Sequence, residues 1–294
     1  MTRLPTWLSN HLAALRALLV MTVLLGMLYP LAVLLIAQIP GLQAKADGSL
    51  LDTGGTVAGS ALIGQSFTDA AGDPLVQYFQ SRPSAGGYDP LVTGASNLGP
   101  ESVVDTPPDP SVPGDTGTPS LLTQVCARSL AVGDVEGVDG SRPYCTADGV
   151  GAVLAVYRAD GLTGPVTRAV SVNQACPATP FLDRYEGVPV ECATPGADYS
   201  GGVVTPLRGG APATSAVPAD AVTASGSGLD PNISPEYAAV QAPRVARERG
   251  IDLATITALI AQHTDGRLLG FLGEPTVNVL ELNADLDQRY PYRT

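Results

Sequence analysis

The hydrophobic residues of the first forty positions form a single continuous run. No charged residue lies between Arg16 and Lys45, and residues 17–39 are almost all Leu, Val, Ala, Met and Ile. A helix over these positions is roughly 34 Å long, which is enough to cross a bilayer. A signal peptide core has only about 7–15 apolar residues. The run therefore predicts a retained transmembrane helix over residues 17–39.

The charges on either side of this run predict its orientation. Arg3 and Arg16 precede it, so the positive-inside rule places residues 1–16 in the cytoplasm and the rest of the chain outside. All 28 acidic residues and 14 of the 16 basic residues lie after residue 40, so that part carries a formal charge of −14. Such a charge excludes a nucleic-acid binder, which needs a basic surface. The alternative is a cleaved signal peptide, since residues 44–46 resemble a small-x-small cleavage site.

Shorter apolar segments follow, and they predict an α+β domain. Strand candidates lie at 56–58, 61–63, 151–157 and 166–172, separated by Gly and Pro. Residues 40–55 are small and polar, which is typical of a stalk. We divide the rest into two interleaved regions, a domain made of residues 56–100 and 217–294 and a segment flanked by Gly and Pro at residues 101–216.

The best helix signals lie in the last third of the chain. Ser234 can cap a helix over 237–249, and Pro243 is expected to kink or divide it. Asp252 can cap a second helix that ends at Gly266. Residues 277–286 fit a helix or a strand equally well. The second helix is expected to bury one apolar face, formed by Leu253, Ile256, Leu259 and Ile260.

Local motifs predict no catalytic residue and no metal site. The sequence contains no HExxH, GxSxG, Walker A or GxGxxG motif. Ser225 and Ser227 lie in a Gly-rich loop and would be nucleophiles only beside a base, so a structural turn is favoured. His263 is expected at an exposed helix end. Asp285 and Asp287 are expected on a solvated face.

Four cysteines occur within residues 101–216, on the side of the membrane where disulfides form. No CxxC pair is present, which disfavours zinc. Three pairings are possible, and the sequence leaves all three open. The disulfide candidates are Cys126, Cys145, Cys176 and Cys192.

Several longer strings are distinctive. They are GQSF at 64–67, YFQSRPS at 78–84, GYDPLVTGASNLGP at 87–100, VTASGSGLDPNIS at 222–234, Gln241 with Arg244-Val245-Ala246, and LGFLGEPTVNVLELN at 269–283. Together with the apolar N-terminal run, they resemble the C subunit of the Kdp-type potassium-transporting ATPase. The resemblance covers about residues 12–100 and 217–287, in the family's order.

The resemblance implies an accessory, non-catalytic subunit of an ATP-driven high-affinity potassium uptake complex in the bacterial cell membrane. Its partners would be a channel-like potassium-binding subunit, a P-type ATPase subunit and the lipid bilayer. ATP and potassium would belong to the whole complex, and no cofactor is expected on this chain. The family's C subunit acts as a catalytic chaperone that raises the ATP affinity of the ATPase subunit.

The resemblance also suggests site residues. The family's nucleotide contact falls on Gln241, although the predicted orientation places this residue outside, away from cytoplasmic ATP. A domain outside can still change ATP affinity by stabilising one conformation of the pump. The candidates for docking on a partner are Tyr88, Asp89, Asn97, Ser225 and Asp230.

One segment departs from the family's pattern. Family members join the ASNLGP and VTASGSGLDP strings by a shorter stretch, whereas residues 101–216 intervene here and contain every cysteine. The alternative function is therefore a membrane-anchored extracytoplasmic binding module, with this segment as the binding part.

Overall fold

The computed structural model describes residues 5–53, 55–109 and 111–292. It divides into two compact units, one ending at Leu62 and the other beginning at Ile63. One long apolar helix in the first unit and mixed helices and sheets in the second confirm the predicted fold class.

The first unit contains the predicted apolar helix. Helix α1 (Thr6–Val23), a π-helical turn (Leu24–Leu28) and helix α2 (Tyr29–Ala37) form one apolar helix of 32 residues, long enough to cross a membrane. It begins at Thr6, before the uncharged run, because Leu and Ala there favour helix. The wider π turn lies next to Pro30, where a regular helix loses a hydrogen bond and meets the proline ring.

A short helix and a hairpin follow. Helix α3 (Gln43–Ala46) precedes strand β1 (Leu50–Thr53), which pairs antiparallel with β2 (Thr56–Ser60). The strand predicted at 56–58 is therefore confirmed, and the one at 61–63 is wrong, because the chain turns there. Regular structure also occurs inside the region assigned to a stalk.

Helix α4 (Leu121–Glu136) opens the regular part of the cysteine-bearing segment. It begins at Ser120, whose Oγ accepts a hydrogen bond from the backbone N–H of Thr123. It ends at Gly137, whose φ of 69° is left-handed and suits glycine. The Pro-rich stretch before the helix is held by paired backbone bonds between Thr106 and Thr118.

A five-stranded sheet follows α4. Strands β3 (Val153–Asp160) and β4 (Thr163–Ala175) form its antiparallel centre, which confirms the strands predicted there. Strand β6 (Val188–Ala193) runs parallel to β4, and β5 (Arg184–Tyr185) pairs with β6. Strand β7 (Val203–Pro206) pairs antiparallel with β3, so the spatial order is β5-β6-β4-β3-β7.

Strand β3 at the centre of this sheet buries apolar side chains on both faces. Leu154 and Val156 pack in one apolar cluster, whereas Val153 and Ala155 pack in another. Because successive strand residues point to opposite faces, β3 reads as a continuous apolar run. The cysteine-bearing segment therefore has apolar clusters of its own.

The remaining elements begin with helix α5 (Ala219–Val222) and strand β8 (Asn232–Ile233). Ser234 caps helix α6 (Pro235–Arg249), as predicted, and the helix continues through Pro243. The expected division there is wrong. Pro243 and the preceding turn at Ala239 are exposed, so water can satisfy the carbonyl that proline leaves unpaired.

Helix α7 (Leu253–Gln262) follows α6, with Asp252 at its N-cap. The Asp252 side chain makes no capping bond, and Leu253 is exposed, so the predicted apolar face is reduced to Ile256, Leu259 and Ile260. The helix also ends before Gly266, since its last turn closes at His263.

Strand β9 (Thr264–Asp265) pairs with β10 (Thr276–Asn278), which also pairs with β8. Helix α8 (Val279–Arg289) continues directly from β10, so the ambiguous stretch at 277–286 is a strand end followed by a helix. Helices α5 to α8 share one apolar core with Phe79, and side chains of α4 pack against it.

Candidate functional site

Arg244 on α6 is the centre of a buried polar network. Its side chain is only 1% exposed, and that of its partner Glu136 on α4 is 2% exposed. Arg244 Nε and Nη2 donate to the Glu136 carboxylate at 3.0–3.1 Å, and Nη1 donates to the backbone oxygens of Val76 and Tyr78. Nη2 also donates to Gln241 Oε1 at 3.0 Å. All five guanidinium N–H groups are therefore bonded.

Burial raises the pKa of Glu136, and the adjacent Arg244 guanidinium counteracts that rise. The pair joins the cysteine-bearing segment to a helix of the domain that carries the family-like strings. Because both charges are out of water, neither residue can lose its partner without a large cost.

Gln241 is also fully buried, one turn before Arg244 on the same face of α6. Its Oε1 accepts from the Gln80 N–H at 2.6 Å, and its Nε2 donates to the Gln80 carbonyl at 3.1 Å. Asn283 on α8 makes the same two bonds to the backbone of Phe79, both at 2.9 Å. The side-chain amides of Gln241 and Asn283 hold the backbone of residues 79–80 beside the core. In this structure Gln241 has no exposed surface for a nucleotide.

Asp285 and Asp287 of α8 are both paired, so the predicted solvated face is wrong. Asp287 accepts from the Tyr78 hydroxyl at 2.9 Å and from Arg249 Nη2 at 2.8 Å. Asp285 lies 2.9 Å from Nε2 of His263, which is the C-cap of α7 as predicted but is half-buried. Asp285 also pairs with Arg289 on the next turn of α8 at 2.6 Å, but the other partners come from other elements, which local sequence does not reveal.

A second group of contacts joins the loops of four family-like strings. The Gly64 N–H donates to the Leu229 carbonyl at 2.8 Å. Arg82 Nη1 pairs with Asp230 at 3.0 Å. The Tyr88 hydroxyl donates to the Arg82 carbonyl at 2.8 Å, and burial raises the pKa of Tyr88 to about 12. These contacts hold the four loops against one another. We call the loops around residues 64, 82, 88 and 229–230 the clasp.

The five docking candidates differ in accessibility. Ser225 is buried, and its Oγ accepts from the Asp230 N–H at 3.2 Å, so it serves the turn predicted for this loop. Asp230 is paired with an arginine, and Tyr88 is half-buried. Asp89 and Asn97 are exposed. Of the five candidates, only these last two are exposed in this structure.

Gly64→Ala is expected to destabilise the clasp by about 1–3 kcal/mol. A Cβ at this position would lie 2.6 Å from the Asp230 carbonyl oxygen and would also meet the Tyr88 ring. Gly226→Ala is the matched control, because its added Cβ meets no atom within 4 Å. Thermal unfolding of the detergent-solubilised chain, followed by circular dichroism, measures both. Equal midpoints for the two variants would contradict the contact.

The structure selects one of the three cysteine pairings. Cys126 bonds to Cys145, with Cα atoms 5.4 Å apart, and Cys176 bonds to Cys192, with Cα atoms 5.2 Å apart. The first ties α4 to the loop before β3, and the second ties the end of β4 to β6. Both bridges stay within residues 101–216. Among residues 5–53, 55–109 and 111–292, no group of three or more His, Cys, Asp or Glu side chains is placed to hold a metal ion.

Glu136 and Asn283 were not predicted from the sequence. One sequence signal could have indicated that buried partners exist. Gln241 and Arg244 are spaced to lie on the same helix face as Ala238, and polar residues on an apolar face need buried partners. The identity of the partner was not readable, because Glu136 lies 108 residues from Arg244.

Known proteins resemble the chain over nearly its whole length. The family model "K+-transporting ATPase, c chain" matches residues 11–104 and 204–288. The potassium-transporting ATPase KdpC subunit of Kineococcus radiotolerans is 36% identical over 276 residues, 93% of this chain and 91% of the relative. The KdpC subunit of Rhodospirillum rubrum is 36% identical over 273 residues, 92% and 91% of the two chains. That of Koribacter versatilis is 32% identical over 288 residues, 97% and 98%.

These alignments cover more than nine tenths of both chains, so they extend across the segment between the two matched ranges. The cysteine-bearing segment is therefore not unusual among these relatives. The family model covers more than half of the chain, and it does so on both sides of that segment. The chain belongs to the KdpC family, the c chains of potassium-transporting ATPases, and is an accessory subunit of the Kdp complex.

Proposed function

We propose that this chain supports the Kdp complex from outside the membrane and raises the ATP affinity of the ATPase subunit without touching ATP. The N-terminal apolar helix would anchor it, with residues 1–16 in the cytoplasm and the domain of charge −14 outside. Its partners would be the channel-like potassium-binding subunit and the P-type ATPase subunit. The chain itself would catalyse no reaction.

The observation that carries this proposal is the burial of Gln241. A nucleotide contact would require the amide to leave the Gln80 backbone and the Arg244 guanidinium, which would strand buried polar groups. An effect on ATP affinity through the conformation of the pump leaves these hydrogen bonds of Gln241 intact. A subunit that binds one conformation of the pump more tightly shifts the pump toward that state, and ATP affinity follows.

The test compares the purified complex with a complex that lacks this chain. We expect the intact complex to show a lower KM for ATP. We also expect 8-azido-ATP to label the ATPase subunit and leave this chain unlabelled. Labelling of a peptide that contains Gln241 would contradict the indirect mechanism. An unchanged KM would contradict the effect on ATP affinity.

The second candidate is a membrane-anchored binding module carried by residues 101–216. It is favoured by an open cavity of about 300 Å3 on one face of the five-stranded sheet, lined in part by Ala155, Val172, Tyr199 and Val204. Mass spectrometry of proteins that co-purify with the tagged chain separates the two functions. Equal amounts of the channel-like subunit and the ATPase subunit support the pump, whereas recovery of the chain alone favours the binding module.

A further inference from the structure

An exposed apolar turn connects β9 to β10. Its four large side chains are Leu268, Leu269, Phe271 and Leu272, which are 68%, 77%, 68% and 47% exposed. Large apolar side chains that are grouped and exposed commonly mark an interaction surface. We call residues 267–274 the apolar turn.

The apolar turn has a defined shape. Leu268 and Leu272 exchange two backbone hydrogen bonds of 2.9 Å, and Arg267 pairs with Glu274 at the base. Leu269 has a φ of 56°, a left-handed value that a leucine rarely adopts. A strained backbone that displays apolar side chains to water indicates a functional constraint. The turn is therefore prepared for contact before any partner arrives.

Charge argues against a membrane or a second copy as that partner. Anionic lipid surfaces attract basic residues, but Arg267 is paired with Glu274, and the chain after residue 40 carries −14. Two copies of this domain would repel each other for the same reason. The apolar turn lies within the matched range 204–288 of a family whose members are subunits of a larger ATPase. Of the three partners considered, another subunit of that ATPase is the one that remains for the apolar turn.

We propose that the apolar turn is a docking element that inserts into an apolar pocket on another subunit of the potassium-transporting ATPase. Phe271 and Leu269 would be the central anchors, because burying large apolar side chains that are this exposed removes much apolar surface from water. The proposal rests on the proposed assembly with the other subunits, and it identifies the surface that this chain would use.

The first experiment replaces the anchors in the full-length tagged chain. Leu269→Ser combined with Phe271→Ser is expected to lower the amount of co-purified ATPase subunits at least tenfold. Leu162→Ser is the matched control, because Leu162 is a 78% exposed leucine at a hairpin tip outside the matched ranges. The control should stay within twofold of the original chain. Circular dichroism melting of each purified chain checks that the fold is unchanged.

The second experiment leaves the fold intact and identifies the occupant. A photoreactive benzoylphenylalanine is placed at position 269, the complex is irradiated in native membranes, and the adduct is identified by mass spectrometry. An adduct with another ATPase subunit is expected. A lipid adduct, an adduct between two copies of this chain, or no adduct would overturn the proposal, as would full subunit retention by the double variant. If the original chain itself recovers no subunits, the proposed function fails instead.

Discussion

Glu136→Ala is expected to destabilise the domain by about 3–5 kcal/mol, the usual cost of removing one partner of a buried ion pair. The variant leaves the Arg244 guanidinium in the core without its carboxylate, and three of its hydrogen bonds are lost. Urea unfolding of the detergent-solubilised chain, followed by circular dichroism, measures the loss. The amount of chain recovered from membranes should fall with it.

Glu191→Ala is the matched control. Glu191 pairs with Arg168 at 2.8 Å, but these side chains are 52% and 45% exposed, so its removal should cost less than about 1 kcal/mol. The double variant Glu136→Leu with Arg244→Met should recover part of the loss, because no unpaired charge remains buried. Similar losses for Glu136→Ala and Glu191→Ala would contradict a structural role for the buried pair.

The same pair gives the cysteine-bearing segment a structural role. Helix α4 supplies Glu136, and its apolar side chains pack against the core that contains Phe79. Deleting residues 101–216 would remove both contributions at once. The segment is thus part of the fold that presents the family-like strings, and it is not an appendage.

Gln241→Ala is expected to lower the stability of the domain by about 2–4 kcal/mol, because it strands the buried N–H and C=O of Gln80 and one donor of Arg244. The Kdp complexes that still assemble should keep their KM for ATP. Thermal unfolding of the chain and the ATP dependence of hydrolysis by the complex test the two halves. An increased KM with an unchanged melting temperature would favour a nucleotide contact.

Two further variants distinguish a structural role of Gln241 from a nucleotide contact. Asn283→Ala removes the equivalent amide beside Phe79 and should destabilise the chain to a similar extent, also with no change in KM. Gln288→Ala changes an exposed residue of α8 and should alter neither quantity. A change in KM for Gln241→Ala alone among the three would contradict the structural role.

Local patterns predicted much of the fold. The uncharged run predicted the long N-terminal helix, and the apolar runs at 151–157 and 166–172 predicted the two central strands. Ser234 marked the beginning of α6. These features depend on interactions between residues close in sequence, so they can be read along the chain.

The errors share a different cause. Asp285 and Asp287 were assigned to a solvated face because each is an acid in an acidic chain, yet each has a partner from another element. Ser225 stays a docking candidate, but the fold buries it, which its position in a Gly-rich loop did not indicate. Burial depends on which distant segments pack together, and single-residue chemistry does not encode that.

The sequence by itself determined the long apolar N-terminal helix, the acidic charge, the α+β class and the family, because composition, periodicity and long strings carry that information. Only the tertiary structure decided the cysteine pairing, the role of Gln241 and the union of Glu136 with Arg244. The reason is physical. A buried polar group is stable only beside its partner, and Glu136 lies 108 residues from Arg244 along the chain.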